Sequence, residues 1–171
     1  KAEIKFLRNT SLFFLKKKEI TKVIDRHEFI SSIKLKKKYP NTLKIVVTEN
    51  IPVATEINEK KKYYLTQKGK KISYIDIKIF KNLPVIFGNH KNFSSFFYKL
   101  KKSNFNINEI KAFYYFDIGR WDITLKDNRT IKLPKINYED ILTEVNLVLN
   151  NSSFSKYKIF DYRIKDQLIL Q

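Results

Sequence analysis

The sequence predicts an α+β fold, a small truncated domain followed by a mixed β-sheet domain with flanking helices. Three observations carry this. Residues 33–54 alternate apolar and polar over two successive runs. Three windows repeat apolar residues at helical spacing, among them Phe93, Phe96, Phe97 and Leu100 at i, i+3, i+4 and i+7. The remainder breaks into short β-rich runs bounded by turn residues. A period of two marks half-buried strands and a period near 3.6 marks amphipathic helices. The boundary between the two parts is placed at residues 49 and 50.

In the first part, Lys1 to Arg8 reads as a short helical piece with Ile4 and Leu7 on one side, broken by Asn9-Thr10. Ser11 to Leu15 is an apolar plug. Lys16 to His27 is a helix carrying Ile20, Val23, Ile24 and His27, and His27 reads as a helix-end residue rather than a ligand. Ile33, Leu35 and Tyr39 then share a face with the stem of Lys37, while Lys34, Lys36 and Lys38 face away. Leu43, Ile45 and Val47 repeat the pattern. Tyr39-Pro40-Asn41-Thr42 joins the two strands, since proline pre-sets φ and asparagine suits a turn. Pro52 cannot donate to a ladder and is expected at an edge or exit.

In the second part, Thr55–Ile57, Tyr63–Thr66 and Ile72–Tyr74 are short strands around basic turns. Gly88 is expected to supply a positive φ. The aromatic stripe of the second helix reads as core, because single-strand nucleic-acid binders place aromatics on open surfaces. Ile107 to Ile118 follows as a strand with Ile110, Ala112, Tyr114, Phe116 and Ile118 in phase. Arg120 to Lys126 alternates Trp121, Ile123 and Leu125 with Asp122, Thr124 and Lys126, then turns at Asp127-Asn128 and returns over Thr130–Leu133. The third helix spans about Tyr138 to Asn150, with Asn137 as its expected cap and Glu139 and Asp140 in its first turn. Leu168 to Gln171 closes the chain as a short apolar strand. Its length and place at the end of the sheet predict an exposed edge open to β-augmentation.

Composition narrows the chemistry. There is no cysteine, so disulfides and thiolate metal sites are excluded. No apolar run approaches ~18 residues. His27 and His90 lie in different segments without a carboxylate cluster at ligand spacing, and neither a phosphate loop nor a nucleophile elbow is present. Asp117 and Asp122 read as solvated hairpin carboxylates. The sequence therefore points to no enzyme, no cofactor, no metal and no small-molecule substrate. The formal charge of +18 has two readings: attraction to an anionic polymer, or the lysine-rich composition of an AT-rich genome. Only five of the 35 basic residues are arginine, the better phosphate ligand, which favours the second. The chain opens at Lys1 and is expected to be a fragment.

Four segments, in order, resemble the FtsQ/DivIB family of bacterial cell-division proteins. Lys37, Tyr39, Pro40, Leu43, Ile45, Val47, Glu49, Pro52, Val53 and Ala54 match the end of its POTRA domain, with tyrosine where tryptophan is usual. Leu83-Pro84-Val85-Ile86-Phe87-Gly88 matches the segment that follows. Arg120, Trp121, Ile123, Leu125, Asp127 and Asn128 match an Arg-Trp hairpin, with Arg129 where glycine is common. Phe160, Asp161, Tyr162 and Arg163 match the final strand, with Ile164 replacing tyrosine and Gln167 replacing a turn glycine. The resemblance implies a POTRA domain lacking its first strand (1–49) and an FtsQ-type β domain (50–171). It implies a non-enzymatic divisome scaffold, held in the inner membrane by an upstream helix with this part in the periplasm. FtsB and FtsL are the implied partners of the β domain. The residues assigned to them are Arg120, Arg163, Ile164, Asp166, Leu168, Ile169 and Leu170, the arginines anchoring acidic side chains. Tyr39, Pro40 and Glu49 are assigned to a POTRA recruitment surface. A basic nucleic-acid-binding module is the alternative.

Overall fold

A computed structural model describes residues 11–24, 26–58 and 61–171. The Lys1–Arg8 piece and the Asn9-Thr10 break lie outside the described residues. The chain divides into two compact units, Lys1–Ile51 and Pro52–Gln171. The sheets are mixed with helices, an α+β fold.

In the first unit, α1 (Lys17–Ile24) precedes an antiparallel hairpin of β1 (Ile30–Lys38) and β2 (Thr42–Glu49). Leu35 faces Ile45 and Lys37 faces Leu43 across the pair, so the apolar phase read from the sequence is the phase that packs. Leu12, Leu15 and Ile20 form the core, with Leu35 and Leu43 against them. Lys37 lays its stem on this face while its Nζ donates to the Leu12 carbonyl at 2.5 Å. The plug is less buried than its composition suggests: Phe13 and Phe14 are exposed, and Phe13 packs on Tyr39 with ring centroids 4.8 Å apart. The helix ends three residues before His27, which lies in the connection and whose carbonyl accepts from Ile30 N–H.

The second unit is one nine-stranded mixed sheet in the order β11-β10-β9-β8-β7-β6-β3-β4-β5. Its members are β3 (Pro52–Asn58), β4 (Lys61–Thr66), β5 (Lys71–Ser73), β6 (Val85–Phe87), β7 (Ile110–Phe116), β8 (Arg120–Leu125), β9 (Thr130–Lys132), β10 (Ile159–Asp161) and β11 (Ile169–Leu170). Two helices, α2 (Phe93–Lys102) and α3 (Glu139–Asn150), supply the other half of the core. Phe93, Phe96, Phe97 and Leu100 of α2 are all buried, with Leu142 and Val145 of α3. They meet Leu65, Ile86, Phe113, Trp121, Ile123 and Phe160 from the sheet. Phe96 stacks on Trp121 with centroids 4.7 Å apart and planes 13° off parallel.

Two expectations need correction, and a third is met by only one of its alternatives. Pro52 marks the exit from the hairpin into the second unit and not an edge. It is the buried first residue of β3, which lies between β4 and β6, a position where a missing N–H is tolerated. The alternation in β7 does not run through to Ile118. A register shift between Ile110 and Ala112 inserts one residue, and a one-residue bulge reverses the phase beyond it. Phe113 and Tyr115 turn to the core, while Tyr114, Phe116 and Ile118 face outward. Asn137 does not cap α3. It takes a left-handed conformation at φ 57, and Tyr138 occupies the cap position without a side-chain bond. Glu139 instead holds the helix start to α2 through Lys99 Nζ at 2.5 Å.

Gly88 does supply a positive φ, at +92. A Cβ there would stand 2.2 Å from the backbone oxygen of Tyr115, on the neighbouring strand. Both the conformation and the contact are barred to an L side chain, so Gly88→Ala should lower folding stability by about 2 kcal/mol or more. Urea denaturation followed by tryptophan fluorescence measures this.

Candidate partner-binding edge of the sheet

The C-terminal end of the sheet is built from pieces too short to stand alone. β9 and β10 pair in parallel, β10 and β11 antiparallel, each over two or three residues. The Gln171 carbonyl accepts from Lys158 N–H at 2.7 Å and from Ile159 N–H at 2.9 Å, which fastens β11. β11 is the terminal strand, and its outer edge carries no further strand among the described residues. Leu168 and Leu170 pack partly on the core, while Ile169 is exposed.

Cross-strand registers assemble a row on the sheet face opposite the aromatic core. Phe87 stands beside Tyr114, Tyr114 beside Asp122, Asp122 beside Lys132, Lys132 beside Asp161, and Asp161 beside Ile169. The row begins apolar, with Phe87 and Tyr114 stacked at 4.9 Å, is charged over Asp122, Lys132 and Asp161, and ends at Ile169. Arg120 and Arg163 both join it, each held by an aspartate two residues away in sequence. Arg120 Nε donates to Asp122 Oδ1 at 3.1 Å, and the guanidinium lies 4.2 Å from the Phe116 ring centroid. Arg163 Nε donates to both Asp161 oxygens, at 2.8 and 2.9 Å, and Nη2 to Oδ2 at 2.6 Å. The Arg120 side chain is 15% exposed and that of Arg163 is 44% exposed, so only Arg163 offers much of its head to solvent.

The two aspartates respond in opposite directions. Hydrogen bonds from Arg163 hold the Asp161 carboxyl below its ordinary value, with Lys132 assisting. Burial raises the Asp122 carboxyl, against the pull of Arg120, Arg163 and Lys132. Asp122 is thus not the solvated hairpin carboxylate that alternation suggests. Outward-facing residues here are covered by the aromatic and guanidinium groups beside them, whereas Asp117 in the preceding turn is exposed.

Ile164, Lys165 and Asp166 form an exposed turn, with the left-handed residue at Asp166 (φ 58) and not at Gln167. This turn, the loop before α3 and the first turns of α3 enclose a groove of about 680 Å³. The assigned residues Arg163, Ile164, Asp166 and Leu168 all line it. The groove is absent from the sequence reading, because it is assembled from segments about thirty residues apart. The recruitment residues of the first unit are exposed but not gathered: Tyr39 and Pro40 sit in the hairpin turn, Glu49 at the far end of β2. Elsewhere, buried Glu56 receives His90 Nδ1 at 3.0 Å and faces Lys71 Nζ at 3.1 Å, an internal charge cluster linking β3, β5 and the loop after β6. Among the described residues no group of histidine and carboxylate side chains is arranged to hold a metal, and no helix is long and apolar enough to cross a membrane.

The opposite shifts give opposite pH signatures. The stabilisation from Asp161 is present above the unfolded carboxylate range and fades as pH falls through its lowered folded value. Asp122 works the other way: its burial favours the fold at low pH and that contribution is lost as pH rises through its raised value. Asp161→Asn should therefore cost roughly 1–2 kcal/mol at neutral pH and flatten the acid limb of stability, whereas Asp122→Asn should be close to neutral or stabilising. Thermal melts between about pH 3 and pH 7 separate the two.

Two family models together account for most of the chain. "POTRA domain, FtsQ-type" matches residues 1–50, and "Cell division protein FtsQ/DivIB, C-terminal" matches residues 54–163. Among curated proteins, the cell division protein FtsQ of Rickettsia typhi is 30% identical over 96% of this chain. That of Rickettsia prowazekii is 27% identical over 96% of the chain, and that of Blochmanniella floridana 28% identical over 69%. The chain spans 63% and 62% of the length of the two Rickettsia proteins. With the family domains in order along the chain and the similarity running through nearly all of it, this chain belongs to the FtsQ/DivIB family.

Proposed function

We propose that this chain is the periplasmic part of a non-enzymatic cell-division scaffold, a single-pass inner-membrane protein, that binds FtsB and FtsL through the C-terminal edge of its sheet. The observation that carries the reading is the terminal position of β11, with exposed Ile169 and the half-exposed Arg163 guanidinium beside it. A partner strand would add to the edge by main-chain bonds and select by its side chains. Asp161 engages Nε and Nη2 of Arg163, leaving further N–H groups to receive a partner carboxylate without reorganising the side chain. Arg120 contributes less to an interface, since Asp122 and Phe116 already cover its head. In the same reading the first unit is a POTRA domain contacting other division proteins through Tyr39, Pro40 and Glu49. The charge of +18 supports the second reading, a nucleic-acid-binding module. The buried aromatics of α2 speak against it, and a shift of labelled DNA at near-physiological salt would revive it.

Titration with a synthetic peptide of the C-terminal periplasmic segment of FtsB tests the first reading. Truncation after Asp166 should abolish binding, and so should N-methylation of alternate residues in the peptide, which removes main-chain donors and leaves the protein untouched. Binding that survives both rules out edge pairing.

Arg163→Ala should weaken binding by about tenfold or more. It should also cost about 1 kcal/mol of stability, since it strips the guanidinium from the buried Asp161 carboxylate and leaves it the backbone N–H of residue 163. Arg163→Glu should bind less well still, and recover part of the loss with a peptide whose acidic residue is changed to lysine. A stability loss without any loss of affinity would make Arg163 purely structural.

A further inference from the structure

The wall of the groove beside the C-terminal turn buries a polar group that the fold leaves unsatisfied. Tyr162 stands in this wall and is 4% exposed, yet its hydroxyl makes no hydrogen bond. The main chain at this position is fixed, since Tyr162 N–H donates to the Lys132 carbonyl at 2.9 Å and the residue belongs to the core cluster. A buried hydroxyl without a partner destabilises a fold that phenylalanine would serve better. Burial, with the Glu144 carboxylate nearby, pushes the phenol up, so it remains a neutral hydroxyl with an oxygen able to accept.

The α3 side of the groove carries Asp140 and Glu144, which lie one helical turn apart. Their neighbour Glu139 is paired with Lys99, but among the described residues neither Asp140 nor Glu144 has an ion-pair partner. Two such carboxylates on one wall stand out in a chain of net charge +18. The cations at the groove do not neutralise them. Arg163 is held on Asp161, Lys135 extends over Gly119, and Lys165 is 92% exposed in solvent. Apolar surface is supplied by Ile141, Ile164 and Leu168.

We propose that this groove accepts a lysine or arginine side chain of the bound partner segment. Its stem lies over Ile141, Ile164 and Leu168, and its N–H groups are shared between the Tyr162 hydroxyl oxygen and the carboxylates of Asp140 and Glu144. A basic side chain satisfies the orphaned hydroxyl and the unpaired acids at once; an acidic one would meet two carboxylates. The inference rests on the reading that a partner segment pairs with β11, whose turn forms one side of the groove. It makes Tyr162 and Glu144 selectors of the partner beyond the edge itself.

The test uses the whole chain and the same FtsB peptide. Tyr162→Phe should leave the denaturation midpoint unchanged or higher while weakening peptide binding about tenfold or more. Glu144→Gln should weaken binding and make it less dependent on salt. Replacing the peptide's lysines and arginines singly by norleucine should reveal one position whose loss is not additive with Tyr162→Phe. If the wild-type chain does not bind the peptide, the edge reading fails and this inference with it. If the wild type binds and both variants bind equally well, this inference alone is overturned. Tyr162→Phe that lowers stability yet binds like the wild type overturns it too, by assigning the hydroxyl to the fold.

Discussion

The stack of Phe96 on Trp121 is the contact on which the larger unit depends. α2 has ten residues, too few to be stable on propensity alone. It forms because Phe93, Phe96, Phe97 and Leu100 find a surface of matching breadth in Phe113, Trp121 and Ile123. Phe96 also meets Phe113 edge-on at 5.9 Å and Tyr138 at 5.7 Å, so one ring joins α2, two strands and the start of α3. Aromatic pairs of this kind add about 0.5–1.5 kcal/mol each beyond area burial. The inner face of the sheet is thereby closed by rings, and the charged residues Asp122, Lys132 and Asp161 fall on the opposite face.

How far this was legible depends on the range of the interaction. The apolar stripes of α2 and α3 and the register of the β1–β2 hairpin follow from periodicities within about ten residues, and the structure keeps them. The failures share a cause. The bulge at Ile110–Ala112 is a single extra residue, invisible to a period count because Tyr114 and Phe116 are as apolar as Phe113 and Tyr115. Once the phase reverses, Tyr114 stacks on Phe87 and Phe116 lies under Arg120. The same covering buries Asp122, which alternation alone would leave in water. Asn137 has a side chain suited to capping, but the chain needs a left-handed residue there to turn from β9 into α3, and backbone conformation takes precedence.

The candidate site was half legible for a comparable reason. Arginine at two motif positions in a lysine-rich chain is a local signal, and both copies fall on one sheet face, joined through Asp122, Lys132 and Asp161. That each would be fixed by an aspartate two residues away follows from the pleat, which returns residues i and i+2 to the same side. The groove is not local. Its walls come from the loop before α3, from α3 and from the turn after β10, and Tyr162 reads along the strand as an ordinary core residue.

These features give the two ends of the nine-stranded sheet different characters. At the β5 end, the open face is closed by Tyr64 packed against Tyr74 and Phe80, with the Tyr64 hydroxyl donating to the Ile75 carbonyl. Aromatic cover and a satisfied hydroxyl close the face at that end, while the outer edge of β5 carries no further strand among the described residues. At the β11 end, where the strands are again only two or three residues long, a second buried tyrosine, Tyr162, has its hydroxyl unbonded. Short strands bury little and open at low cost in free energy, which is where binding elements are usually drawn from. β11 thus keeps its outer main-chain groups without a strand partner among the described residues, beside the exposed Arg163 guanidinium and the unbonded Tyr162 hydroxyl.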